Sequence, residues 1–159
     1  LSHSSAASDV YKRQEVNSQT LAASKSKLIP LTQEGCQLYE RVGYHEFNGI
    51  VLNDEEKEKL INAIGNEKHT LLMRNHGLIT AGPTAAWAFI RHQHFIRNAE
   101  VQLKLMASNA EMSIISDNIL KHTREQFEGG SAQAGAKVRH PEWPAFWRLL
   151  DSLDEKWKQ

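Results

Sequence analysis

From Glu15 onward, stretches with apolar residues at three- and four-residue spacing alternate with short continuous apolar runs, which predicts helices and strands in turn. Glu15 to Ser26 is rich in alanine and serine and predicts a weak helix. Lys27 to Leu31 is a short apolar run broken by Pro30, and Cys36 to Val42 fits a strand or a turn of helix equally. Phe47 to Leu52 predicts a strand entered through the turn-forming Asn48-Gly49. Asn53 predicts a helix start, Glu56 completes its capping box, Leu60, Ile61 and Ile64 form the face to be buried, and Gly65 ends the helix. His69 to Met73 and Leu78 to Thr80 predict short strands on either side of a break at Asn75-His76-Gly77. The longest element starts at Gly82-Pro83-Thr84 and runs to about Asn109, with Trp87, Ile90, His94, Val101 and Leu105 near one stripe. A helix over about Asp117 to Phe127 follows, then a flexible small-residue loop over Gly129 to Lys137. Trp143, Phe146, Leu150, Leu153 and Trp157, with Pro144 in the first turn, mark a final helix. Strands interleaved with helices predict an α/β domain.

Composition adds bounds. The 159 residues suit one domain or a large piece of one, and 40% hydrophobic with 24% charged residues allows a core. Lysine plus arginine equals aspartate plus glutamate at 19 each, a balance that argues against nucleic acid or an anionic membrane as partner. No apolar run approaches the roughly 20 residues that span a bilayer, and the serine-rich start has no apolar signal-peptide segment. Cys36 is the one cysteine, which suits a reducing cytoplasm. The chain opens on Leu1, and residues 1–14 (LSHSSAASDVYKRQ) lack apolar periodicity. We therefore expect a non-native or disordered extension over 1–14 and the domain proper over 15–159.

Several constellations bear on chemistry. Arg74-Asn75-His76-Gly77 sits between two short strands, where a histidine projects from a strand end and glycine leaves room beside the backbone. Neutral imidazole is a good ligand for zinc, although a single histidine at such a place is more often structural. His92-Gln93-His94 falls within a helix, where residues i and i+2 point about 200° apart and cannot reach one ion. His94 is expected to be partly buried and His92 at the surface. In Tyr44-His45-Glu46 the tyrosine could shuttle a proton, but packing at the sheet edge is the simpler reading. The tryptophans of the last helix suit a core or a subunit interface, since base stacking would want a positive groove.

The run Gly43 to Met106 resembles the class II aldolase/adducin family, which includes fuculose-phosphate aldolase, ribulose-phosphate 4-epimerase and the adducin head domain. The match centres on LLMRNHGL (71–78), followed by Gly82 and a long helix with Ala99-Glu100-Val101-Gln102. YHEFNGI (44–50) resembles the adducin-like branch, while KLIPLT (27–32) and EWPA (142–145) extend the resemblance over about 15–159. It implies a three-layer α/β/α fold with a mainly antiparallel sheet, here N-terminally truncated. It also implies a divalent metal, usually zinc, held by three histidines, of which the turn histidine is His76. Tyr44 aligns with a tyrosine that protonates the intermediate from a neighbouring subunit. The implied activity is a metal-dependent aldolase or epimerase of the cytoplasm, acting on small hydroxy-carbonyl compounds such as sugar phosphates, with active sites between the subunits of a homotetramer. The other two ligands, an upstream His-x-His pair with a glutamate before it, are absent here, and His3-Ser4-Ser5 is no substitute. The expectation is a chain that holds metal poorly and is inactive by itself. An adducin-like, non-catalytic protein-binding scaffold is the alternative. The short C-terminus, without the long basic tail of the cytoskeletal proteins, favours the enzyme type.

Overall fold

A computed structural model describes residues 9–50, 54–133 and 140–153. Strand β1 (Asp9–Arg13) leads into helix α1 (Val16–Ala23), an extended segment, a 3-10 turn (Glu34–Leu38) and β2 (Val42–His45). Helix α2 (Asp54–Ile64), β3 (Thr70–Met73), β4 (Gly77–Gly82), α3 (Ala85–Ser108), α4 (Asp117–Gln133) and α5 (Trp143–Leu153) complete the chain order. The strands lie in the order β1-β4-β3-β2. β1 and β3 both run antiparallel to β4, whereas β2 is parallel to β3. The domain is α/β and its sheet is mixed, where the resemblance implied a mainly antiparallel one. The parallel pair follows from α2, which carries the chain back across the sheet between β2 and β3.

Strand alternation sorts the side chains onto two faces. Leu72 and Leu78 are opposite one another in register and enter a core with Leu21, Leu28, Phe95 and Ala99, so α1 and α3 cover that face. Gly43 and Leu71 pair on the other face, under α2. A Cβ at Gly43 would lie 2.3 Å from the Ala63 carbonyl oxygen, so glycine is what lets α2 sit down on β2. β3, between the two layers, is buried along its whole length.

Several sequence expectations change. Asp9–Arg13, at the end of the segment set aside as a non-native or disordered extension, forms the edge strand and pairs with β4 over five residues, which bears on its order and not on its origin. Residues 1–8 lie outside the described residues. The strand expected at Phe47–Leu52 is displaced to Val42–His45, and 46–50 turn away, with Gly49 at φ +95 and Phe47 and Ile50 exposed. Residues 51–53, including the expected cap Asn53, are not described. Ile61 is exposed because Ala63 is the contact with the sheet, which rotates Ile61 outward. α4 runs on through Gly129 to Gln133 where a loop was expected, and an Arg41–Glu128 ion pair at 2.8 Å ties down its later turns. Residues 134–139 and Trp157 are not described. α3 keeps its expected bounds: Thr84 accepts from the Trp87 amide, and Asn109 closes the helix in the left-handed region. No helix among the described residues is long and apolar enough to cross a membrane.

The buried side of α3 carries two carboxamides one turn apart, Asn98 and Gln102. Asn98 Oδ1 accepts from the Leu31 and Thr32 amides, and its Nδ2 donates to the Ile29 carbonyl. Gln102 Oε1 accepts from the Ile29 amide, and its Nε2 donates to the Lys27 carbonyl. The extended segment 27–32 thus makes with side chains the bonds a strand makes with its neighbour. His92 and His94 are both buried, which corrects the surface placement of His92: β1 covers it, and the Tyr11 ring stands edge-on at 4.9 Å. The two rings diverge as helix geometry requires. His94 lies between Gln37 Nε2 at 2.9 Å and Glu142 Oε2 at 3.2 Å. His140 is buried against the Trp87 ring, 4.3 Å between centroids. α5 rests on Phe89 through Trp143 and Phe146.

Two predictions follow from these contacts. Asn98→Ala leaves three half-buried backbone groups without their protein partner and is expected to cost about 2 kcal/mol in urea denaturation. Asn98→Asp should fall short of full stability as well, because a carboxylate cannot donate to the Ile29 carbonyl. Burial holds His92 and His140 down to about 4, from an ordinary 6.5. The unfolded chain takes up protons near 6.5 and the folded chain does not. Their contribution is therefore complete above pH 6.5, declines as pH falls towards 4, and is constant below. About 2 kcal/mol per histidine is expected to be lost between pH 7.5 and 5. His140→Phe should shrink that loss, and a denaturation midpoint independent of pH would contradict the assignment.

Candidate metal-ligand cleft at the β3–β4 turn

β3 ends at Met73 and the chain reverses through Arg74-Asn75-His76. Asn75 takes the left-handed conformation at φ 55, and the His76 amide donates to the Met73 carbonyl at 3.1 Å. The turn is anchored twice by backbone bonds, from the Arg74 amide to the His45 carbonyl at 2.8 Å and from the Asn75 amide to the Ala22 carbonyl at 3.2 Å. Gly77 admits β1 closely, since a Cβ there would meet the Arg13 carbonyl oxygen at 2.8 Å. His76 is therefore presented, half-buried, from a fixed turn on the α2 side of the sheet.

The cleft around it is lined by His45, Asn48, Glu56, Leu60 and Met73. Burial, then the positive charge of Lys12, lowers the His76 pKa. His45 Nε2 stands 3.6 Å from Glu56 Oε2. The Glu56 carboxylate is bonded to Lys59 Nζ at 2.5 Å and to the Asn48 side chain, and the Lys59 bond is the largest of the effects that hold its pKa down. The sequence reading assigned Glu56 to a helix cap and gave His45 no partner. The signal for their meeting was the alternation from Gly43, which puts His45 on the α2 face one turn from where α2 begins. The cleft has a volume of only about 10 Å³, the space of a single water.

Tyr44 lies on the opposite face of the sheet. Its hydroxyl oxygen accepts from the Leu28 amide at 3.0 Å, and the Arg74 guanidinium stands 5.2 Å from the ring centre. Burial raises its pKa, which keeps it protonated. It faces a hollow of about 340 Å³ shared with Leu28, Tyr39, Ile115 and Leu120. Tyr44 and His76 of one chain are thus separated by the sheet. Arg74, beside His76 in sequence, turns to the α1 side and donates to the Ser24 and Ser26 carbonyls, each at 2.9 Å.

The donor set does not fit zinc. Among the described residues no three of histidine, cysteine, aspartate and glutamate converge, and three protein ligands are the norm for a catalytic zinc. Glu15 spends its carboxylate on the Asn17 and Ser18 amides at the start of α1. Cys36 is buried and bonds the Thr32 carbonyl, and burial pushes its thiol pKa up. A buried thiol held protonated is the setting of a structural cysteine.

The model of the class II aldolase and adducin N-terminal domain matches residues 14–103. A Pseudomonas aeruginosa protein named "Putative aldolase class 2 protein" is 30% identical over 139 residues, covering 87% of this chain and 53% of that protein. Rattus norvegicus alpha-adducin is 28% identical over 141 residues, 84% of this chain and 19% of its own length. The fold matches a crystal structure of an aldolase II superfamily protein from Pseudomonas syringae with a TM-score of 0.73 at 24% identity, over 90% of this chain and 54% of that one. L-fuculose 1-phosphate aldolase from Glaciozyma antarctica matches with a TM-score of 0.59 at 18% identity, over 79% and 52%. The chain spans about half the length of the curated bacterial relatives it matches. With its α/β fold and its histidine turn inside the matched region, the chain belongs to the class II aldolase and adducin family.

Proposed function

We propose that this chain contributes to a metal-dependent aldolase- or epimerase-type domain acting on small hydroxy-carbonyl compounds, sugar phosphates among them, and is catalytically silent by itself. The observation that carries the reading is His76, held half-buried by a doubly anchored turn within the family-matched region. We assign His76 as one metal ligand of the whole protein, with zinc the expected ion. The described residues supply no companion ligands, so no step through the metal is derived. Tyr44 is assigned as a proton donor to a neighbouring subunit's site in a homo-oligomer, a tetramer by family analogy. Its oxygen accepts from the Leu28 amide, which leaves the hydroxyl proton to be given. L-fuculose 1-phosphate aldolase shares the fold and supports the substrate class.

A second reading, a non-catalytic protein-binding scaffold, is favoured by the likeness to alpha-adducin and by the incomplete ligand set. Assay with a ketose 1-phosphate separates the two. The chain by itself is expected to show no turnover with or without zinc, and turnover would overturn the claim of silence. In the whole protein, His76→Ala is expected to lower kcat/KM about 1,000-fold, the scale of a lost metal ion. A whole protein that cleaves nothing while holding zinc would favour the scaffold.

A further inference from the structure

We propose that α5 is a releasable strap, latched to α3 at its first turn by His140 and Glu142, and that protonation of His140 opens it as a unit while the sheet and α3 stay folded. α5 buries none of its residues, and its Leu149 and Leu153 stand exposed. It meets α3 by ring edges, Trp143 and Phe146 against Phe89 at 5.7 and 5.1 Å between centroids. An element with so little buried apolar contact opens at a fraction of the free energy of the whole fold. The latch lies just before it. His140 is 5% exposed, its ring 4.3 Å from that of Trp87. Its Nδ1 accepts from the Glu142 amide at 3.2 Å, and its carbonyl accepts from the Trp143 amide at 3.1 Å. The Glu142 carboxylate reaches His94 Nε2 on α3, 3.2 Å away.

A proton on His140 Nδ1 removes the acceptor and sets two N–H groups against one another where α5 begins. The surroundings oppose the charge as well. From α3, Arg91 and the His94 ring face His140, the latter at 6.4 Å between centroids. From its own segment comes Glu142, whose carboxylate lies on His94. Burial first, then His94 and Arg91, hold the docked imidazole at about 4 against an ordinary 6.5, with Glu142 pulling the other way. Once released, His140 titrates near 6.5 again. The undocked form therefore takes up the proton first and gains population as pH falls from 6.5 towards 4. A charge on His94 would instead strengthen its bond to Glu142, so the opening is assigned to His140. Release uncovers Phe89 and Trp87 on α3 and frees an apolar helix, which makes acidification a signal that exposes an apolar surface.

Amide hydrogen exchange of the whole chain, followed by NMR and corrected for the intrinsic rate, tests this. Opening of α5 is expected to rise about 30-fold between pH 7.5 and 5, the ratio that titration near 6.5 when released and about 4 when docked requires. The amides of α5 should exchange faster than those of β3 at both pH values. His140→Asn offers the Glu142 amide an acceptor that does not titrate, and should keep α5 docked while flattening the pH dependence. His140→Phe keeps a ring against Trp87 without the acceptor, and should flatten the dependence with more opening at pH 7.5. The unaltered chain alone can overturn the proposal, by α5 and β3 exchanging at one common rate or by an α5 opening that ignores pH. A 30-fold rise that persists in either folded variant overturns it too.

Discussion

Asn98 and Gln102 fix the backbone of a segment that has no strand beside it. Segment 27–32 crosses the α3 face extended, and its amides and carbonyls would be buried and unpaired without the two carboxamides. Much follows from its position. The Leu28 side chain completes the core under Phe95 and Leu72, and the Leu28 amide orients the Tyr44 hydroxyl. Thr32 starts the 3-10 turn, whose Gln37 reaches His94, and the other side of the His94 ring meets Glu142 just before α5. One line of polar contacts therefore runs from α3 through the extended segment to the start of the last helix. Each unsatisfied member would cost more than an ordinary hydrogen bond gains.

The sheet divides the molecule by chemistry as well as by packing. On the α1 and α3 side lie the apolar core, Tyr44 and the guanidinium of Arg74, which gathers the carbonyls at the end of α1. On the α2 side lie His76, His45 and Glu56. Arg74 and His76 are two residues apart, yet they serve opposite faces because the chain is leaving β3 between them. The two backbone bonds of the turn and the Arg74 side chain on the side away from the cleft together fix where His76 is presented.

The sequence showed some of this plainly. The bounds of α3 were legible because Thr84 and Asn109 are local signals whose chemistry acts within one turn. The β3–β4 break around His76 was legible for the same reason. β2 was not: apolar Phe47–Leu52 looked like a strand, but pairing with β3 depends on Gly43 admitting α2, a contact between residues 20 apart in sequence. His92 looked exposed because the residues that cover it belong to β1, a segment with no periodicity of its own. The carboxamides were passed over because polar residues interrupt an apolar stripe. A buried i,i+4 amide pair in a long helix is nonetheless a readable sign that a neighbouring backbone lacks partners. The cleft was half legible: His76 stood out by its turn, whereas the His45–Glu56 pair required knowing which way β2 faces.

What the family match covers in this chain is scaffold. The matched residues build β2, β3 and β4, the α3 clamp and the turn, all of which are held by contacts internal to the protein. A catalytic zinc asks for donors from more than one strand, converging on a point that no single turn can define. Among the described residues no such convergence of three donors forms around His76. The turn that presents His76 is built by backbone bonds and by the Arg74 side chain, and a ligand set is a separate requirement.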